Sequence, residues 1–280
     1  MIKLLASDLD GTIIDNNNQI SYYDIDAINK INKENLQFTI CTGKTYAMIK
    51  DLCDKLQPTY GIFGNGTQII NLKTGKEITK NTLKISNTLQ CLKIARENKL
   101  HVHIYTEDKI IAQSSLQYMA YRNYELYKKQ IKFEVVPSLK KYIEENNPNI
   151  FKLVISGRKN LEKIKKQIEQ KQNISAIQIR KYNEYKDDII NQEYEYLDIV
   201  PHNVTKYDAL RELSKYLKIN NDEIMAVGDN INDIEMIKNV GVGVAIGGSY
   251  EEVTKVASYV TKNTVKNGGF AEAVYKFIAI

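Results

Sequence analysis

Cysteine and histidine are scarce in this chain, with three of each in 280 residues. Cys41, Cys53 and Cys91 form no CxxC pair, and an odd count does not build a disulfide framework. That usage fits a reducing, cytoplasmic compartment. With few histidines and no HExxH motif, zinc chemistry is not expected. No stretch approaches the roughly 20 apolar residues of a membrane helix, and the opening residues lack the basic-then-apolar layout of a signal peptide. A strong charge of one sign is missing too: 39 Lys+Arg against 34 Asp+Glu leaves +5. No Arg-rich tract occurs, and the pairs Lys128-Lys129, Lys140-Lys141 and Lys165-Lys166 are scattered. Neither a nucleic-acid surface nor membrane association is expected. The mild basicity suits a small anionic partner.

What is present is a globular composition, 43% hydrophobic and 26% charged, long enough for two domains. Residues 2–7 read as a strand, 22–34 as an amphipathic helix with Ile25, Ile28 and Ile31 on one face, and 36–41 as a second strand. A helix over about 45–56 and a strand at 60–63 follow, the latter ending in Gly64-Asn65-Gly66. The last third repeats the alternation, with strands at 223–227, 242–246 and 258–261 and a helix starting at Asp233. Such alternation predicts an α/β fold with a Rossmann-like, doubly wound parallel sheet. The middle is richer in Lys, Tyr, Gln and Glu, and its helix and strand order is less regular. It reads as an inserted α+β domain over 83–192, splitting a core formed by 1–82 and 193–280.

Parallel α/β sheets bind ligands at the carboxyl ends of their strands. After the first strand stand Asp8 and Asp10; after the second, Thr42, Gly43 and Lys44. After 223–227 come Asp229, Asn232 and Asp233, and Lys206 precedes a predicted helix over 206–217. Clustered carboxylates repel and call for a cation, and an all-oxygen donor set with room for water suits Mg²⁺. A Thr-Gly turn offers a hydroxyl and backbone N–H groups to an anion, and a lysine adds a point charge. Together they describe phosphate beside Mg²⁺. One of the paired aspartates can then act as nucleophile, and the other can carry protons.

The segments Asp8-Leu9-Asp10-Gly11-Thr12, Thr42-Gly43-Lys44, Lys206 and Gly228-Asp229-Asn230-Ile231-Asn232-Asp233 resemble, in order and spacing, the motifs of haloacid dehalogenase (HAD) superfamily phosphatases. The resemblance is to the Cof-type (IIB) subgroup, with a large α/β cap inserted after the second motif. It implies that Asp8 attacks phosphorus and binds Mg²⁺. It implies that Asp10 protonates the leaving oxygen, activates water and lends its backbone carbonyl to the metal. Asp229 would be a metal ligand, with Asp233 bound directly or through water. Leu9, Thr42, Gly43, Lys206 and Asn232 would hold the phosphoryl oxygens, and the cap would select the substrate. Lys44 stands where relatives often have arginine, and Tyr207 where a glycine is common.

The implied activity is hydrolysis of a small phosphomonoester, such as a sugar phosphate, nucleotide or cofactor phosphate. A phosphotransferase or mutase would use the same groups, and a silent binding protein could keep the same scaffold. A monomer or weak homodimer is expected. Gly241-Val242-Gly243 lacks the third glycine of a dinucleotide fingerprint and reads as a turn. Tyr118, Tyr121, Tyr124 and Tyr127 form a stripe, read either as packing on the inserted domain's own sheet or as a contact surface for the leaving group. His101 and His103 share one face of a strand and have no third ligand nearby.

Overall fold

Every residue of strand β1 (Leu4–Ser7) is buried, the pattern of a strand covered on both faces. The computed structural model describes residues 1–34, 36–114, 120, 124, 125, 127–157, 161–171, 173–182 and 193–279. The chain divides into two units, the first being Met1–Gly43, Asp51–Lys80 and Lys206–Ile280, the second Lys44–Lys50 and Asn81–Thr205. After β1 come β2 (Gln37–Cys41), β3 (Tyr60–Phe63), β4 (Gln68–Asn71), β5 (Glu77–Lys80), β6 (His101–Tyr105) and β7 (Lys109–Ala112). Then follow β8 (Lys132–Val135), β9 (Lys152–Ser156), β10 (Ile174–Tyr182), β11 (Glu193–Pro201), β12 (Ile224–Gly228), β13 (Val242–Ala245) and β14 (Tyr259–Val260).

The first unit holds an eight-stranded sheet in the order β14-β13-β12-β1-β2-β3-β4-β5. From β14 to β3 all pairings are parallel, and β4 and β5 add an antiparallel edge. One face, with Leu4, Ala6, Ile62 and Ala226, packs on Leu210 and Leu213 of helix Lys206–Leu217. On the other face Phe38 meets Phe270 of helix Gly269–Phe277, ring centroids 6.2 Å apart. Two helix starts share one buried carboxylate there. Ser21 caps helix Tyr22–Ile31 by accepting from the Asp24 N–H. Asp24 Oδ2 accepts from Ser21 Oγ at 2.8 Å, and Oδ1 accepts the Ala271 N–H at 2.8 Å. Burial pushes the Asp24 carboxyl up to about 6, against the pull of those bonds.

The second unit has a six-stranded sheet, β10-β11-β9-β6-β7-β8, antiparallel except for the β7–β8 pair. Val102, Ile104, Leu153, Ile155, Leu197 and Ile199 form a core with helices Ile85–Glu97, Leu139–Asn146 and Leu161–Lys171. Alternation puts His103, Tyr105, Lys152 and Asp198 on the other face. Lys152 Nζ lies 2.7 Å from Asp198 Oδ2, and both side chains are buried. His103 tilts against Tyr105, and burial followed by the Lys152 charge pushes its imidazole down to about 3.

Several expectations need correction. Glu193–Pro201 pairs with β9 and β10, so the second boundary falls at Thr205/Lys206 and not at 192/193. The first helix ends at Ile31 and not at 34. The helix expected from Asp233 is the run Ile234–Lys238, preceded by a short 3-10 turn, Ile231–Asp233. Of the tyrosine stripe, Tyr118 and Tyr121 lie outside the described residues. Tyr124 packs on Phe133 of β8, ring centroids 5.4 Å apart. No helix among the described residues is long and apolar enough to cross a membrane.

Candidate active site

The carboxyl ends of β1 and β12, neighbours in the first sheet, bring the acidic residues together. The chain leaves β1 through a tight turn in which Leu9 O accepts from the N–H groups of Ile13 and Ile14, at 2.9 and 2.8 Å. Gly11 sits in that turn at φ 80°. A Cβ there would fall 2.3 Å from Asp229 Oδ2, so glycine meets both a backbone and a space requirement. Thr12 Oγ1 donates to Asp229 Oδ1 at 2.9 Å, tying the first motif to the last.

Carboxylate oxygens of Asp8, Asp229 and Asp233 lie within 4.8 Å of one another. Lys206, at the start of its helix, reaches Asp8 Oδ1 and Asp233 Oδ1, each at 2.7 Å. Its side chain is 1% exposed. Asp233 Oδ2 accepts the backbone N–H groups of Asp229 and Asn230, at 3.1 and 3.0 Å. Asp233 thus completes a capping box with Asn230 and also anchors Lys206. It does the capping work of a helix start and contributes a carboxylate to the cluster.

Charge is unbalanced here: three carboxylates face one buried ammonium. Burial, then the Asp233 charge, pushes Asp8 up to about 7, with Lys206 pulling the other way and Asp10 adding to the rise. Asp229, half-buried, is held well above the usual carboxylate range by desolvation and by Asp8 and Asp233, against the Thr12 bond. Desolvation alone would lower Lys206, but Asp233 and Asp8 outweigh it and hold it above its ordinary value. A hard divalent cation is the complement of such a site: oxygen donors only, and net negative charge in a crowded place. The three carboxylates fit a metal ion by number, closeness and donor type.

The remaining expected residues surround this cluster. Asp10 is close enough for its charge to raise Asp8, and its backbone bridges to Ile14. Thr42 is buried at the end of β2, its N–H donating to Ile62 O at 2.9 Å. Asn232 Nδ2 donates to Asn65 Oδ1 at 3.0 Å, and Asn65 lies against Gly43. Leu9 is buried between the two aspartates. Two participants carried no functional reading from sequence: Thr12, a hydroxyl inside the first motif, and Asn65, an asparagine between two glycines that reads as a turn. Beyond these aspartates, no other group of three or more metal-ligating side chains occurs among the described residues.

Comparison with known proteins agrees with this geometry. The haloacid dehalogenase-like hydrolase family matches residues 5–274. M6_Spy0533 of Streptococcus pyogenes serotype M6, whose name proposes a phosphatase, is 27% identical over 99% of this chain and 98% of its own. The HAD phosphatase BT1666 from Bacteroides thetaiotaomicron superposes with a TM-score of 0.80 at 24% identity, covering 99% of this chain and 95% of its own. The HAD subclass IIB sugar phosphatase BT4131 superposes with a TM-score of 0.77 at 20% identity, over 98% of each chain. The chain therefore belongs to the haloacid dehalogenase-like hydrolase family.

Proposed function

We propose that the protein is a Mg²⁺-dependent phosphatase that hydrolyses a small phosphomonoester through a phosphorylated Asp8. The observation that carries this reading is the Asp8–Lys206–Asp233 arrangement beside Asp229. A carboxylate held at 2.7 Å by a buried lysine has a fixed orientation, as a nucleophile requires. Asp8 would form a bond to phosphorus as the bond from phosphorus to the leaving oxygen breaks. Asp10 would give its proton to that oxygen. Water would then attack phosphorus, Asp10 would take the proton, and the bond to Asp8 would break. Thr42, Gly43, Lys206, Asn232 and the Leu9 N–H would hold the phosphoryl oxygens, where charge spreads in the transition state.

Mg²⁺, when bound, supplies charge neutralisation for the carboxylates and the phosphate. Asp8, Asp229, the Asp10 backbone carbonyl and Asp233 would hold it. The second unit would select the leaving group and exclude bulk water. Sugar phosphates, nucleotides and cofactor phosphates are the substrate classes, by analogy with relatives such as the sugar phosphatase BT4131. A cytoplasmic monomer or weak dimer acting on a soluble metabolite completes the reading. Phosphate release from a panel of some dozens of phosphorylated metabolites, with and without Mg²⁺, tests it. Mg²⁺-dependent release from a subset supports the proposal, and no release from any of them overturns it.

A further inference from the structure

Between β3 and β4 the backbone does something costly. Gly64, Asn65 and Gly66 take φ values of 58°, 58° and 109°. Asparagine tolerates the left-handed region better than most residues, but still at a cost. Asn65 is also 0% exposed, and a polar side chain buried in a strained turn is kept only where its bonds are used. Its N–H donates to Thr42 O at 2.9 Å. Its side-chain amide lies against Gly43, where a Cβ would fall 3.2 Å from Nδ2 and 3.3 Å from Oδ1. Its Oδ1 accepts from Asn232 Nδ2 at 3.0 Å. One residue thus touches both loops that the proposed function assigns to phosphate.

The consequence for Asn232 is directional. An amide nitrogen carries two hydrogens on a planar group. The bond to Asn65 uses one and so fixes where the other points. The Asn232 Oδ1 atom is buried and has no hydrogen-bond partner, so nothing on its oxygen side orients the amide. Among the described residues the Asn65 bond alone does so. We infer that Asn65 is a positioning residue: it aims the second Asn232 N–H at an anionic phosphoryl group. The inference rests on the phosphatase reading for the identity of the anion.

Asn65→Gly tests this, because glycine keeps the positive φ and removes only the side chain. It is expected to weaken inorganic phosphate binding, by calorimetry, about tenfold, the worth of one good hydrogen bond. In turnover the loss should fall mainly in KM. In an Asn232→Ala background the same change should cost less than about twofold, because the bond it acts through is gone. The Asn232 side-chain N–H that bonds Asn65, followed by ¹⁵N-edited NMR, should exchange with water more slowly in the native protein than in Asn65→Gly. Equal losses in both backgrounds, or native phosphate binding in Asn65→Gly, overturn the inference. Asn65→Asp is the second variant, since it tolerates the same φ and still accepts from Asn232. Adding Asn232→Ala to it must still cost about tenfold, and no added cost also overturns the inference. If the native protein binds phosphate in an Asn65-dependent way but releases none from phosphoesters, the phosphatase reading fails and the positioning role stands.

Discussion

Each unit of the molecule buries a lysine against aspartate, and the two do it differently. In the second unit Lys152 meets Asp198 one to one, at 2.7 Å. In the first, Lys206 meets Asp8 and Asp233 while Asp229 adds a third carboxylate. In the Lys152–Asp198 pair one positive charge meets one negative charge. The first unit's group is unbalanced, and its charge state responds: Asp8 is driven up to about 7. A buried pair is weak evidence for stability or for function, because desolvation can cancel the attraction. Excess charge at a strand end is stronger evidence, since the fold maintains a repulsion that only a ligand relieves.

The sharpest break between the two clusters is kinetic. Asp8→Asn removes one charge from the unbalanced group and should leave the fold intact. Turnover is expected to fall by at least about a thousandfold, with an unchanged far-UV spectrum. Retained turnover would remove Asp8 from the chemistry. No change at Lys152–Asp198 should do this to the chemical step.

Stability reverses the order. Lys152→Met alone takes the ammonium away from the buried Asp198 carboxylate, and should cost about 3–5 kcal/mol in chemical denaturation. The double change Lys152→Met, Asp198→Leu should recover most of that loss. If the double variant is as unstable as the single, the pair is worth more than its charges.

Metal should act on one cluster only. Mg²⁺ at about 100 times its dissociation constant should stabilise the native protein by about 2.7 kcal/mol. Asp229→Asn should abolish that gain, and the Lys152→Met, Asp198→Leu variant should keep it. An equal Mg²⁺ effect in Asp229→Asn would separate the metal from the carboxylate cluster.

Asp24 is the control, a buried carboxylate whose shift has no lysine among its causes. Its folded-state value of about 6 lies above the ordinary 3.8. The stability it contributes is therefore complete below 3.8 and is lost as pH rises through about 6. Asp24→Asn keeps an acceptor for the Ala271 N–H and cannot ionise. It should be more stable than the native protein above pH 6 and lose that advantage below 3.8. An advantage independent of pH would show that packing, not charge, is responsible.

The legible and illegible parts of the site differ for a physical reason. Asp8, Asp10, Asp229 and Lys206 could be read because strand ends are where a parallel sheet presents ligands, and clustered charge is rare there without purpose. The parallel core strands were readable because they are apolar throughout. Asn65 was not, since an asparagine between glycines has an ordinary use in turns and its partner lies 167 residues away. Thr12 closed the first motif without a role of its own, and only its bond to Asp229 supplies one. The second boundary was misplaced because β11 mixes Glu, Tyr and Asp with its apolar residues, where one face of the sheet bears polar groups. The β4–β5 edge was missed because β5 is half-exposed and short, which weakens the alternation that marks a strand.

The central claim is that Asp8, at the unbalanced cluster, becomes phosphorylated. The most direct test is to quench the enzyme in acid during turnover of p-nitrophenyl phosphate with Mg²⁺. Borohydride then reduces any acyl phosphate, and peptide mass spectrometry locates it. The account predicts reduction to homoserine at Asp8, and none at Asp10, Asp229 or Asp233. Reduction at another aspartate, or none during active turnover, would contradict it.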